Sequence, residues 1–166
     1  MPKLWCSVPS DAQDVESLRV IRNSCREFMT SMTDEISIEA QAAWWAQSPV
    51  MRGTPLLFHL LTEPNPIGFG LLRVQGVVFL TGGLLPRFRG KGYGAPLFQT
   101  LIALAVGVRM RPHLKVRSDN VQAVKLYKKL NFTAVSYLDS SGYSESPKGG
   151  VEIIGMRYEG DDASNC

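Results

Sequence analysis

Gly82-Gly83-Leu84-Leu85-Pro86-Arg87-Phe88-Arg89-Gly90-Lys91-Gly92-Tyr93-Gly94 is the stretch on which the fold turns. The apolar run at 76–84 reads as a strand. Residues 92–108 read as a helix, with Leu97, Leu101, Leu104 and Ala105 along one face and Pro96 in the tolerated first turn. Gly90, Gly92 and Gly94 stand at alternate positions, so the backbone can bend tightly and successive N–H groups can converge without interference from Cβ atoms. The helix points its positive end at the same spot, and Arg87, Arg89 and Lys91 add charge around it. A pyrophosphate fits such a loop; the competing reading is a strand-to-helix connection whose glycines serve geometry alone.

Gly90-x-Gly92-x-x-Ala95 also satisfies a dinucleotide-binding pattern. Two features oppose that reading. Residues 86–89 separate the glycines from their strand, and no acidic residue ends a second strand about 20 residues later. The stretch also follows a meander instead of opening a βαβ unit.

Working outward, residues 56–62, 67–73 and 76–84 form three apolar runs parted by Glu63-Pro64-Asn65-Pro66 and by Val74-Gln75-Gly76, as in an antiparallel meander. Before them, residues 3–8 read as a short strand. Ser10-Asp11-Ala12-Gln13 reads as a capping box opening a helix with Val15, Leu18, Ile21 and Cys25 on its core face. Ser37 caps a second helix, 38–47, whose consecutive Trp44 and Trp45 cannot share a face, so one is expected in the core and the other partly exposed. Downstream come a strand at 114–117, a helix at 120–130, closing strands at 132–138 and 151–158 with a Ser/Gly-rich loop at 139–150 between them, and a flexible tail at 161–166.

The chain's 166 residues, 45% hydrophobic, suit a single domain over 1–160. A net charge of +3 permits an anionic ligand without marking a dedicated nucleic-acid binder. Cys6, Cys25 and Cys166 lie far apart, and His59 and His113 are the only histidines, which argues against a metal site and a disulfide framework and for a cytoplasmic setting. The N-terminus lacks an apolar leader core of about 7–15 residues. The longest apolar run, 101–108, is too short to span a bilayer, so no membrane partner is expected.

Arg89-x-x-Gly92-x-Gly94 resembles the R/Q-x-x-G-x-G/A signature of the GCN5-related N-acetyltransferase (GNAT) superfamily, and Leu84-x-Pro86 resembles the V-x-P that ends that family's fourth strand. Asn120-x-x-Ala123-x-x-Leu126-Tyr127-x-x-Leu130-x-Phe132, beginning 26 residues after Gly94, is similar to the family's N-x-x-A-x-x-L-Y-x-x-x-G-F block. Asn131 replaces the glycine of that block, and Asn is the residue next best able to take a left-handed backbone there. Together with Ile67-Gly68-Phe69-Gly70 these blocks cover about half the chain. The resemblance implies an α/β fold with a central mixed, mostly antiparallel sheet of about six to seven strands and about four helices. It also implies acetyl-CoA, or another acyl-CoA, as co-substrate, no metal, and pairing as a homodimer, as in many relatives.

Acyl transfer from a thioester to an amine needs the carbonyl polarised, the amine delivered without its proton, and a proton returned to the thiolate. Gly82-Gly83 is a plausible bulge exposing unpaired N–H groups, and the resemblance places the pantetheine arm and carbonyl on the backbone of Gly82, Gly83 and Leu84. The phosphates would meet Arg89, Gly90, Lys91, Gly92, Tyr93 and Gly94. The resemblance makes Tyr127 the acid that protonates the thiolate, a packing role being the alternative, and makes Asn120 a CoA contact that can also cap its helix. Neither central strand carries the carboxylate base some members use. Glu27, Glu35, His59 and Tyr143 are the substitutes considered.

In this family the acceptor cleft maps to residues 26–35 and 139–150, with Glu27 as an ammonium anchor and Phe28 as a packing wall. The leading reading is N-acetylation of a small-molecule primary amine by direct attack in a ternary complex. Two others stay open. One is acylation of a macromolecular amine (a protein N-terminus or lysine, an aminoacyl-tRNA or a modified nucleobase), for which Arg87, Arg111, Arg117, Lys125, Lys128 and Lys129 could form a basic rim. The other is a CoA-binding module without catalysis.

Overall fold

The central runs are apolar at successive positions, so as strands they turn apolar side chains to both faces of the sheet. The computed structural model describes residues 3–30, 33–135 and 150–160. Its strands are β1 (Leu4–Ser7), β2 (Thr54–Leu60), β3 (Gly68–Gln75), β4 (Val77–Leu84), β5 (Pro112–Arg117), β6 (Phe132–Val135) and β7 (Ile153–Tyr158). They form one sheet in the order β1-β2-β3-β4-β5-β7-β6, antiparallel throughout except between β4 and β5. The helices are α1 (Ala12–Ser24), α2 (Ile38–Trp45), α3 (Pro49–Arg52), α4 (Gly94–Gly107) and α5 (Val121–Lys129). This is the mixed, mostly antiparallel α/β architecture expected from sequence, with one helix more among the described residues. The extra helix is the single turn α3, started by Pro49 and ended by Gly53 at φ 81°.

Strand alternation divides the core. Leu56, Phe58, Val78 and Leu80 turn to the face covered by α4 and α5, where they bury with Leu97, Phe98, Leu101 and Tyr127. Leu57 and Phe69 turn the other way and meet Leu18, Ile21 and Cys25 of α1 and its cap. Glycines set how closely α4 approaches. A Cβ on Gly70 would stand 2.7 Å from Leu101 Cδ2, and one on Gly82 would stand 2.9 Å from Leu97 Cδ2. The α4 backbone therefore lies close over the strand ends that lead into the glycine loop.

Two local expectations shift. Asp11, one residue later than expected, caps α1 by accepting from the Asp14 N–H at 2.8 Å, while the Asp14 carboxylate accepts from the Ser10 N–H at 2.9 Å. A carboxylate outcompetes the serine hydroxyl as acceptor at the positive end of the helix. Trp44 and Trp45 are both half-buried instead of one core and one exposed. Each carries an arginine on its ring face, Arg22 at 5.1 Å and Arg52 at 3.9 Å, which covers both indoles. Ser37 caps α2 as expected, accepting from Ala40 N–H at 3.1 Å, and Asn131 takes the left-handed backbone, at φ 64°. Residues 136–149, with Tyr143, and the expected tail at 161–166 lie outside the described residues.

Candidate active site

The site begins where β4 leaves β5. Their parallel pairing is limited to Val78 with Pro112 and Phe79 with His113. On its other edge β4 stays in unbroken register with β3 up to Gly68 opposite Leu84. The Gly82-Gly83 bulge expected from sequence is therefore absent from the β3–β4 ladder. The strand end is exposed by divergence from β5, which turns away to pair with β7 from His113 to Arg117. Leu85 N–H donates to Ile67 O at 2.9 Å. Antiparallel alternation then turns the amides of Gly82 and Leu84 away from β3, toward the gap. Leu84 O accepts from Arg89 Nε at 2.9 Å and from Cys25 Sγ at 3.4 Å, so N–H groups dominate what the gap is offered.

The chain then makes a short 3-10 turn at Pro86–Phe88 and enters the loop. Gly90 (φ 71°) and Gly92 (φ 88°) both need the left-handed region. Gly94 serves packing, since a Cβ there would lie 3.0 Å from Leu126 Cδ2 of α5. Helix α4 begins without a side-chain cap, and its first internal bond is Leu97 N–H to Tyr93 O at 3.2 Å. Pro96 contributes no N–H, so the amides of Gly94 and Ala95 are the donors at the helix's positive end. Tyr93 packs edge-on to Phe88 at 6.2 Å, which steadies the turn. Arg87 pairs with Glu63 at 3.0 Å, and Lys91 extends past Phe88.

Arg89, read as a phosphate contact, is placed differently. Its Nη2 donates to Ser24 O at 2.6 Å, its Nε to Leu84 O, and its Nη1 reaches Glu27 at 3.3 Å. Phe28 packs under the same guanidinium at 5.1 Å. Arg89 thereby buckles the end of α1 to the end of β4. Glu27 and Phe28 form the outer part of that buckle, and only Phe28 of the two borders the cleft.

A cleft of about 1190 Å³ runs through the gap and joins both faces of the sheet. On the loop side it is bordered by Gly90, Gly92, Gly94, Asn120, Leu126 and Tyr127. Asn120 caps α5, its Oδ1 accepting from Ala123 N–H at 3.3 Å. Tyr127 is buried, with Phe98 and Phe132 edge-on at 4.8 and 6.0 Å. Burial pushes its phenol well above the ordinary tyrosine pKa, so it stays protonated at any working pH. Packing and a place on the cleft thus hold together for this residue.

On the α1 side Asn23, Phe28, Phe69, Leu71 and Thr81 border the cleft, with Arg22, Arg26, Asp34, Arg73, Arg89 and Lys115 as charged residues beside them. Glu35, His59 and Glu27, considered as bases, do not border it. Glu35 lies 3.6 Å from Arg26. His59 stacks on Trp5 at 4.0 Å and bonds Ser7 at the β1 edge, where burial lowers its pKa. Sequence reasoning placed residues 26–35 at the cleft without singling out Asp34, and passed over Arg22 and Arg73. Arg73 stood as a lone charge in an apolar strand, which is the one signal that pointed to it.

The Acetyltransferase (GNAT) family model matches residues 16–132. No curated protein sequence gives a significant match. Among solved structures, spermidine N-acetyltransferase from Vibrio cholerae, in complex with CoA and spermine, is 15% identical at TM-score 0.74, over 93% of this chain and 94% of that one. The Salmonella typhimurium protein solved with its cofactor acetyl-CoA is 16% identical at TM-score 0.71, over 94% and 93%. The ribosomal-protein-S18-alanine N-acetyltransferase from Escherichia coli is 17% identical at TM-score 0.65, over 96% and 97%.

Proposed function

Because the chain belongs to the acetyltransferase (GNAT) family, we propose that it moves an acetyl group from acetyl-CoA to a primary amine of a small molecule by direct attack in a ternary complex. The observation that carries this is the cleft through the β4–β5 gap, which opens a donor side and an acceptor side onto one point. The residues present fit acetyl-CoA. Left-handed Gly90 and Gly92 and the uncapped amides of Gly94 and Ala95 suit a pyrophosphate, and the space beside Gly90 is open. Lys91 adds a mobile charge, and Tyr93 holds the loop's form. The amides of Gly82 and Leu84 are donors for the pantetheine arm and for the carbonyl oxygen as charge grows on it, and Asn120 can add its outer amide group while capping α5.

Tyr127 is the proton donor to the departing thiolate in this reading. Its raised pKa keeps the phenol neutral, and the same dry surroundings favour protonating the sulfur over leaving it charged. The amine must arrive uncharged. Asp34 and Asp119 are the carboxylates among the described residues of the cleft wall. Asp119 is held by Arg117 at 2.8 and 3.0 Å, and Asp34 lies on the acceptor side, where it can draw the ammonium group in. Proton loss to solvent at the open mouth then completes the requirement. Relatives of this fold act on spermidine and on a ribosomal-protein alanine, so a protein amine is the second reading. The test is release of CoA thiol over a panel of small amines and N-terminal peptides. Turnover confined to peptides would replace the small-molecule acceptor, and thiol release with neither would remove the transferase reading.

A further inference from the structure

The acceptor wall has a charge arrangement that the donor half does not explain. Arg73 on β3 and Arg22 on α1 both border the α1 side of the cleft. Arg73 is half-buried, and its Nε is shielded from solvent with no hydrogen-bond partner. Arg22 lies over the Trp44 ring and reaches Gln41 at 3.4 Å. Its guanidinium is held down to about 10, by burial first and by the charge of Arg73 second. Like charges brought together in a half-dry wall repel, and a shielded guanidinium nitrogen without an acceptor is costly. Lys115, over the Phe79 ring at 5.2 Å, and Arg26 add further cations on the same side, where Asp34 is the carboxylate among the described lining residues.

The position is as informative as the charge. Arg73 stands directly opposite Phe79, and Phe79 is the last β4 residue still paired to β5. Odd-numbered residues of β3 face α1, as Phe69 does against Leu18, Ile21 and Cys25. The Arg73 side chain therefore rises at the level where the strands part, opposite Phe79 and about 10 Å along the strand from Gly82. Phe28, Phe69, Leu71 and Phe79 supply apolar wall around it.

Resting on the transferase reading above, we propose that the acceptor is a carboxylate-bearing primary amine of the α-amino-acid type, its carboxylate held by Arg73 with Arg22 beside it and its amine directed to the strand gap. A guanidinium fork matches a carboxylate in two-point geometry, and the anion relieves the repulsion between the two arginines. In an α-amino acid the two groups sit on one carbon, so a carboxylate held at the end of the extended Arg73 side chain keeps the amine on the same stretch of cleft, between Phe79 and Gly82. A polyamine would bring further positive charge to this wall.

The experiment uses CoA-thiol release from the whole protein with matched pairs: phenylalanine against phenethylamine, methionine against 3-(methylthio)propylamine, and spermidine, each corrected for its fraction of free amine. The amino acid should exceed its decarboxylated partner by roughly 100-fold in kcat/KM, the scale of a charged hydrogen-bond pair. Arg73→Met should bring that ratio toward unity by raising KM for the amino acid, and Arg73→Lys should restore part of it. An acetyl-CoA-induced rise in Tm shows that each variant is folded. Equal or better turnover of phenethylamine or spermidine by the wild type overturns this proposal and leaves acetyl transfer standing. Thiol release with none of the amines overturns it too, and whether acetyl-CoA still raises Tm tells whether the transferase reading falls with it.

Discussion

Replacing Gly82 by alanine keeps the backbone N–H but displaces the strand end that presents it. A Cβ at Gly82 would meet Leu97 Cδ2 at 2.9 Å, Phe69 O at 3.1 Å and Phe98 Cζ at 3.3 Å. The closest contact is the end of the Leu97 side chain and the next is backbone, so Leu97 and the strand end must both give. Overpacking of this kind costs about 1–3 kcal/mol, or about 2–12 °C in Tm for a chain of this length. Gly70 is the control. It faces the same helix, with Leu101 Cδ2 at 2.7 Å and Phe58 Cε2 at 3.0 Å from its Cβ position, but it lies on β3, behind the cleft edge. Gly70→Ala should lower Tm by a similar amount. Acetyl-CoA titration by calorimetry should show roughly tenfold weaker binding for Gly82→Ala, about 1.4 kcal/mol, and a much smaller change for Gly70→Ala. Equal losses of affinity in the two variants would refute the reasoning that the Gly82 amide faces the donor site.

Three further outcomes follow from the same geometry. Arg89→Lys removes the fork that joins Ser24 O, Leu84 O and Glu27, and urea unfolding should show a loss of about 2–4 kcal/mol, from two charge-assisted bonds. Tyr127→Phe should cut kcat by about 10²- to 10⁴-fold while acetyl-CoA still raises Tm; near-normal turnover would return Tyr127 to a packing role alone. The same residue has a pH signature. Its folded pKa is raised, so the unfolded chain loses the proton first, and stability that is full below about pH 10 falls by about 1.4 kcal/mol per unit above it. Unfolding curves between pH 9 and 11 should show that extra slope in the wild type and not in Tyr127→Phe.

The form of the glycine loop was legible because it is local. A strand, alternate glycines and a helix start lie in one run, and the backbone preferences of Gly90 and Gly92 follow from residue type. The burial of Tyr127 was legible through its helical spacing beside Leu126 and Leu130. What failed was non-local. Gly82-Gly83 suggested a bulge because glycine in a strand permits one, but the gap comes from β5 choosing β7 as its longer partner, 40 residues on in sequence. Arg89 belongs to a phosphate-like motif by position and to the α1–β4 buckle by contact, and only packing brings Ser24 to it. The nearness of Arg22 to Arg73 is the same case, since nothing in α1 announces which strand residue shares its side of the cleft.

The central claim, that the β4–loop–α4 unit is an acetyl-CoA site, is tested most directly by thermal unfolding with added acetyl-CoA and, in parallel, NAD. At about 100 times the dissociation constant a ligand of the folded state stabilises by about 2.7 kcal/mol, so acetyl-CoA should raise Tm by roughly 5–11 °C and NAD should leave it in place. A rise with NAD and none with acetyl-CoA would contradict the account.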